Sequence, residues 1–183
     1  MKILLYVVCM MTAVATHSAE LVASCRLGSG AAQSVAVMRD SPAASTHIYY
    51  LQQGRKRTAF FGTTEQSRGS SVLVQCVGNK HRALIISGEF TANAVQGFVL
   101  TYPFGQASPE RLDFAEKSRP GWLYLGSDEM RVVVTTGGYG ETNAKYVMYR
   151  HVIGQADDEP ARAINELPSS AGFEMISLKD SSR

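Results

Sequence analysis

The stretch Trp122-Leu123-Tyr124-Leu125-Gly126-Ser127-Asp128-Glu129-Met130-Arg131-Val132-Val133-Val134 decides the fold class. Two short runs of aromatic and β-branched residues flank a polar turn, which is how strand, turn and strand read in sequence. The same texture continues in both directions. Apolar stretches of five to seven residues, rich in Val, Ile, Tyr and Phe, alternate with clusters of Gly, Ser, Pro and Asn. The spacing predicts strands over 24–27, 33–38, 47–52, 57–61, 71–77, 82–87, 97–102, 111–115, 122–125, 131–136, 146–151 and 173–178. One short helix is expected over 160–167, with Pro160 at its first position and Asp157 or Asp158 before it. The expected class is therefore all-β and antiparallel.

The strands are spaced regularly. With a shift of forty-nine residues, Arg82-Ala83-Leu84-Ile85-Ile86 falls on Arg131-Val132-Val133-Val134-Thr135, and Gly105-Gln106-Ala107 falls on Gly154-Gln155-Ala156. A second shift places Tyr49-Tyr50-Leu51 under Phe98-Val99-Leu100. About three units result, over 24–62, 71–116 and 121–178, each offering four strands. In unit length and in the opening hairpin at Trp122 the chain resembles β-propeller blade repeats, which implies four-stranded antiparallel units. The turn at Asp128 lacks the Pro and Gly common in blades, and three units are fewer than usually close a propeller. An irregular sandwich or barrel is the alternative.

At the other end of the chain, Lys2 precedes the uncharged run from Ile3 to Ala15, and small residues follow at Ala15, Ser18 and Ala19. Residues 1–19 read as an export signal, cut after Ala15 or Ala19. The sequence Val22-Ala23-Ser24-Cys25 offers a lipoprotein alternative, interrupted by His17 and Glu20. Removal of the leader takes Cys9 and leaves Cys25 and Cys76, an even count that is expected to pair in an oxidising compartment. The remaining residues 20–183 suffice for a single β-rich domain. No later segment is long and apolar enough to span a membrane. The formal charge of +2 gives no footprint for nucleic acid, and Arg55-Lys56-Arg57 reads as a charged hairpin tip.

Catalytic signatures are absent from the sequence. There is no Gly-x-Ser-x-Gly elbow. His47, His81 and His151 fall in different units without metal-ligand spacing, so neither a catalytic residue nor a metal nor another cofactor is expected. Glu89 and Glu141 occupy corresponding loops, where a glycosidase pair is conceivable, but their context is that of solvated loop residues. Asp157-Asp158-Glu159 lacks the pattern of a calcium loop and reads as helix capping. Gly137-Gly138-Tyr139-Gly140 lies between strands, not at the start of a helix, and so is no phosphate cradle.

The longest polar stretches, 39–46, 88–96 and 137–145, each join the second strand of a unit to the third and would gather on one face. They carry Glu89, Phe90, Asn93, Tyr139, Gly140, Glu141 and Asn143, an aromatic anchor among polar groups as at protein-binding hot spots. In size, leader and lack of active-site motifs the chain is similar to small bacterial periplasmic immunity and inhibitor proteins. That resemblance implies a periplasmic or secreted, non-enzymatic protein that occludes a secreted cell-wall hydrolase. Two alternatives stand beside it. One is an envelope glycan- or lipid-binding module using Tyr49, Tyr50, Trp122, Tyr124 and Tyr139; the other is an enzyme with an unfamiliar site built from His81, His151, Glu89 and Glu141.

Overall fold

The structure, a computed structural model, describes residues 19–137 and 142–178. The expected leader lies almost wholly outside the described residues. Thirteen strands form, β1 (Glu20–Arg26), β2 (Ser34–Arg39), β3 (His47–Gln53), β4 (Lys56–Ala59), β5 (Arg68–Val77), β6 (Ala83–Thr91), β7 (Ala94–Thr101), β8 (Glu110–Glu116), β9 (Pro120–Leu125), β10 (Glu129–Thr135), β11 (Tyr146–Val152), β12 (Glu159–Ile164) and β13 (Glu174–Ser177). All pairings are antiparallel, and the single helical element described is the 3-10 turn Ala31–Gln33. One sheet runs β1-β2-β3-β5-β6-β7-β8 with β4 on β3, and the other runs β12-β11-β10-β9-β13. Strands of the first two expected units share the eight-stranded sheet, and no closed barrel or propeller forms among the described residues.

β6 and β7 lie between two cores because both of their faces are apolar. Leu84, Ile86, Phe90, Phe98 and Leu100 pack with Val35, Val37, Tyr49 and Phe60 of β1–β4 and the segments beside them. Ala83, Ile85 and Val99 point the other way, onto Leu123, Leu125, Met130, Val132 and Val134 of the second sheet. A strand covered on both sides reads as a continuous apolar run, as Ala83-Leu84-Ile85-Ile86 does. The first sheet reaches around the first core by bending in β5, where the register slips between Ser70 and Leu73 and Ser71 adopts φ of 51°. A bulge of this kind bends a strand and increases its twist. Cys25 and Cys76 then join β1 to β5, strands that are not neighbours in the sheet order, with Cα atoms 5.7 Å apart.

Residues 160–167 are not a helix. Glu159–Ile164 forms edge strand β12, where Pro160 is tolerated. The acidic residues read as caps serve long-range contacts instead: Asp158 Oδ1 stands 2.7 Å from His151 Nδ1, and Glu159 pairs with Arg150 and Arg162. β12 and β13 lie at opposite edges of their sheet, so residues 165–173 cross its outward face. Phe173 there meets the fully buried Tyr124 edge-on at 6.1 Å and lies 4.3 Å beneath the Arg131 guanidinium. On the inward side the Tyr149 hydroxyl lies 2.8 Å from Ala115 O and 3.0 Å from Glu116 Oε1, its one proton shared between these acceptors, fastening β11 to β8.

Candidate functional site

Alternation of strand direction brings the β1–β2, β5–β6 and β7–β8 connections to one end of the molecule. They enclose an open groove of about 1020 Å³ whose walls include Leu27, Tyr102 and Phe104. Among the described residues the most exposed large apolar side chain is Phe104, at 103% relative exposure. Its conformation is set by a turn: Gln106 N donates to Pro103 O at 3.1 Å, and Gly105 takes φ of 77°. This is a type II arrangement, in which glycine at the third position accepts the left-handed backbone and the second residue, here Phe104, is presented at the tip. Gln33 Nε2 donates to Gln106 O at 3.0 Å, and Gln53 Nε2 donates to Tyr102 OH at 2.9 Å. Three hydrogen bonds thus hold the turn in place, one within it and one each from Gln33 and Gln53. An equivalent turn occurs at 152–155, with Gln155 N donating to Val152 O at 3.1 Å and Gly154 at φ of 84°.

The second wall is fixed by a carboxylate from the far end of the sequence. Glu174 on β13 accepts from the amides of Asn79 at 2.7 Å, Lys80 at 2.9 Å and His81 at 2.8 Å. Successive amides in a turn make an anion-binding concavity, and here the protein fills it with its own side chain. Burial pushes the Glu174 carboxyl up, but the three amide hydrogen bonds outweigh it and hold the group below its ordinary value. The turn itself requires Gly78, because a Cβ there would lie 1.9 Å from His81 O and its φ is +87°. Behind Phe104 a smaller crevice of about 260 Å³ opens between the sheets, lined by Leu125, Met130 and Ile153.

The residues singled out from sequence mostly lie elsewhere. Phe90, expected as an exposed anchor, is 9% exposed and packs against Phe61 at 4.9 Å and Tyr49 at 6.0 Å. The expected loop 88–96 is a tight turn at Ala92-Asn93, because β6 continues to Thr91. Glu89 Oε2 accepts from Ser70 Oγ at 2.8 Å, and Asn93 O accepts from Lys117 Nζ at 2.6 Å; both border one shallow concavity. Asn143 is exposed, while Tyr139, Gly140 and Glu141 lie outside the described residues. Strand direction carries 39–46, 92–93, 136–137 and 142–145 to the same end, opposite the groove.

The histidines do not converge. His47 Nδ1 bonds Asp40 O, His81 borders the groove, and His151 sits between the sheets with Nδ1 on Asp158 and Nε2 2.8 Å from Glu110 Oε2. With both nitrogens engaged and the residue 3% exposed, His151 offers nothing to a substrate. Among the described residues no group of three His, Cys, Asp or Glu is placed to hold a metal. Of the aromatic residues suggested for glycan, Tyr49 and Tyr124 are buried and Tyr50 is covered by Arg57 at 3.8 Å.

Phe104 escaped the sequence reading, although Tyr102-Pro103-Phe104-Gly105 carries its signal: a proline and glycine turn that places a large aromatic where a polar residue is usual. No helix of the described residues is long and apolar enough to cross a membrane. Comparison of the chain with protein-family models, curated proteins and solved structures finds no match.

Proposed function

We propose that this chain is an exported, non-enzymatic binding protein that engages a protein partner through the Phe104 turn and the groove beside it, and that the partner is a cell-envelope-degrading enzyme inhibited by occlusion. One observation carries the proposal. A fully exposed Phe stands on a turn braced by Gln33 and Gln53, so its side chain is presented without the ordering cost of a mobile loop. Aromatic anchors of this kind contribute disproportionately at protein interfaces. The disulfide fits an oxidising compartment. Occlusion follows if the turn enters a substrate cleft while the groove receives the lip of that cleft. The equivalent turns at 103–106 and 152–155, forty-nine residues apart, also support a fifty-residue repeat in the chain's construction.

The test is inhibition of a defined panel of secreted lysozymes and peptidoglycan amidases by the oxidised protein, with Phe104→Ala alongside. Because Phe104 touches solvent, the variant should unfold with the wild type. Loss of an anchor worth about 2 kcal/mol should weaken inhibition about thirtyfold. Absence of any inhibition at micromolar protein, or equal inhibition by the variant, would overturn the proposal.

A further inference from the structure

Building on this protein-binding reading, we propose that the Phe104 end selects a partner segment in which an apolar side chain stands beside carboxylates. The argument begins with how the cations are paired. Arg39, Arg57, Arg111, Arg131, Arg150 and Arg162 each hold a carboxylate. Arg26, Lys80 and Arg82, which border the groove, hold none among the described residues, and no Asp or Glu lines it with them. Arg55 on the β3–β4 turn and Lys56 at the start of β4 stand at the same end, next to Gln53, whose side chain reaches Tyr102.

In a chain of formal charge +2, the groove lining therefore carries three cations and no carboxylate. Glu174 lies behind this surface, its carboxylate turned onto three amides. Asp128, Asp157 and Asp158 lie on loops of the second sheet at the same end but outside the groove lining, and Asp158 is engaged by His151. An acidic segment entering the groove meets Arg26 and Arg82 without displacing an internal partner, and guanidinium groups grip carboxylates through two parallel hydrogen bonds.

Charge alone would suit any polyanion. Tyr102 and Phe104 beside these cations favour polypeptide, which brings carboxylates and an apolar side chain in one short segment. Like-signed cations around an apolar anchor also steer an acidic partner toward the site and disfavour a basic one.

A random twelve-residue peptide display library selected on the oxidised protein tests this without any enzyme. Selected peptides should be enriched in Asp or Glu adjacent to Phe, Trp or Leu. Their affinity should fall about tenfold or more in Lys80→Glu/Arg82→Glu and in Phe104→Ala, and stay within about twofold in Lys145→Glu at the opposite end. It should also fall between about 0.05 and about 0.3 M salt, as screened charge pairs do. Selected peptides without acidic enrichment, or indifferent to the charge reversal, would overturn the proposal. So would failure to select any peptide. Heparin or anionic phospholipid vesicles that bind equally to wild type and Phe104→Ala, and displace the peptides, would identify a general anion surface and overturn it too. Acidic, apolar peptides without inhibition of any envelope enzyme would remove the occlusion reading and leave this one standing.

Discussion

Replacing Glu174 by Gln should loosen the groove wall in a way that depends on pH. In the wild type one carboxylate satisfies three amides, with Oε1 on Asn79 and Oε2 on both Lys80 and His81. A glutamine has one acceptor oxygen. With that oxygen toward Lys80 and His81, its amide nitrogen faces the Asn79 N–H, donor against donor. An unsatisfied buried donor costs about 1–3 kcal/mol, and the half-exposed position of this turn places the expected loss near the lower end, about 1 kcal/mol. For a chain of this size that corresponds to about 2–4 °C in melting temperature. The sign with pH follows from the direction of the shift. The folded carboxyl lies below its ordinary 4.5, so its contribution is complete above that value and disappears as pH falls through the folded value. Urea unfolding with the disulfide intact should show the full deficit at neutral pH and a shrinking one in acid. Hydrogen exchange should report faster exchange at residues 79–81. Equal stability of the two proteins at neutral pH, or a deficit unchanged in acid, would refute the reasoning.

Removal of the Cys25–Cys76 bridge by paired Ser substitutions frees a span of 51 residues and should cost about 4 kcal/mol in denaturant unfolding; a loss under about 1 kcal/mol would mean that β1 and β5 are held together by other contacts. Ile85→Ala and Ile86→Ala should each cost about 2–5 kcal/mol, because adjacent residues of β6 fill different cores. A neutral result at either position would contradict burial on both faces. Burial, and then the Glu116 charge, push the Tyr149 phenol up to about 12. A raised value favours the neutral folded form, so the contribution holds below the ordinary phenol value near 10 and vanishes as pH climbs through about 12. Ultraviolet titration of the folded protein should show this late ionisation, and Tyr149→Phe should abolish it.

The all-β class was legible because local composition sets it: short aromatic and β-branched runs between Gly and Asn clusters. The cysteine pair was legible by counting. What the local pattern concealed were contacts made across the chain. Pro160 after two aspartates looks like a helix start, and only His151 and Arg150, on the neighbouring strand, show why Asp158 and Glu159 stand there. Phe90 was within reach of the sequence, since Leu84, Ile86, Gly88 and Phe90 keep the period of two that leads into the first core. Gly88 and Glu89 imitate the start of a loop and break the apolar run, so the strand seems to end early. The groove was harder to see. Its walls come from three separate connections, and its charge becomes visible only once Arg26, Lys80 and Arg82 are seen to share one lining without a carboxylate.

Glu174 also sets an order of events. The amides it braces are synthesised 93 to 95 residues before it. A chain emerging from the ribosome therefore carries Lys80 and Arg82 on an unsupported turn for as long as β13 is missing. On the proposed function, partner recognition is then a property of the nearly finished molecule, and incomplete or clipped chains lacking β13 would compete poorly for the same target.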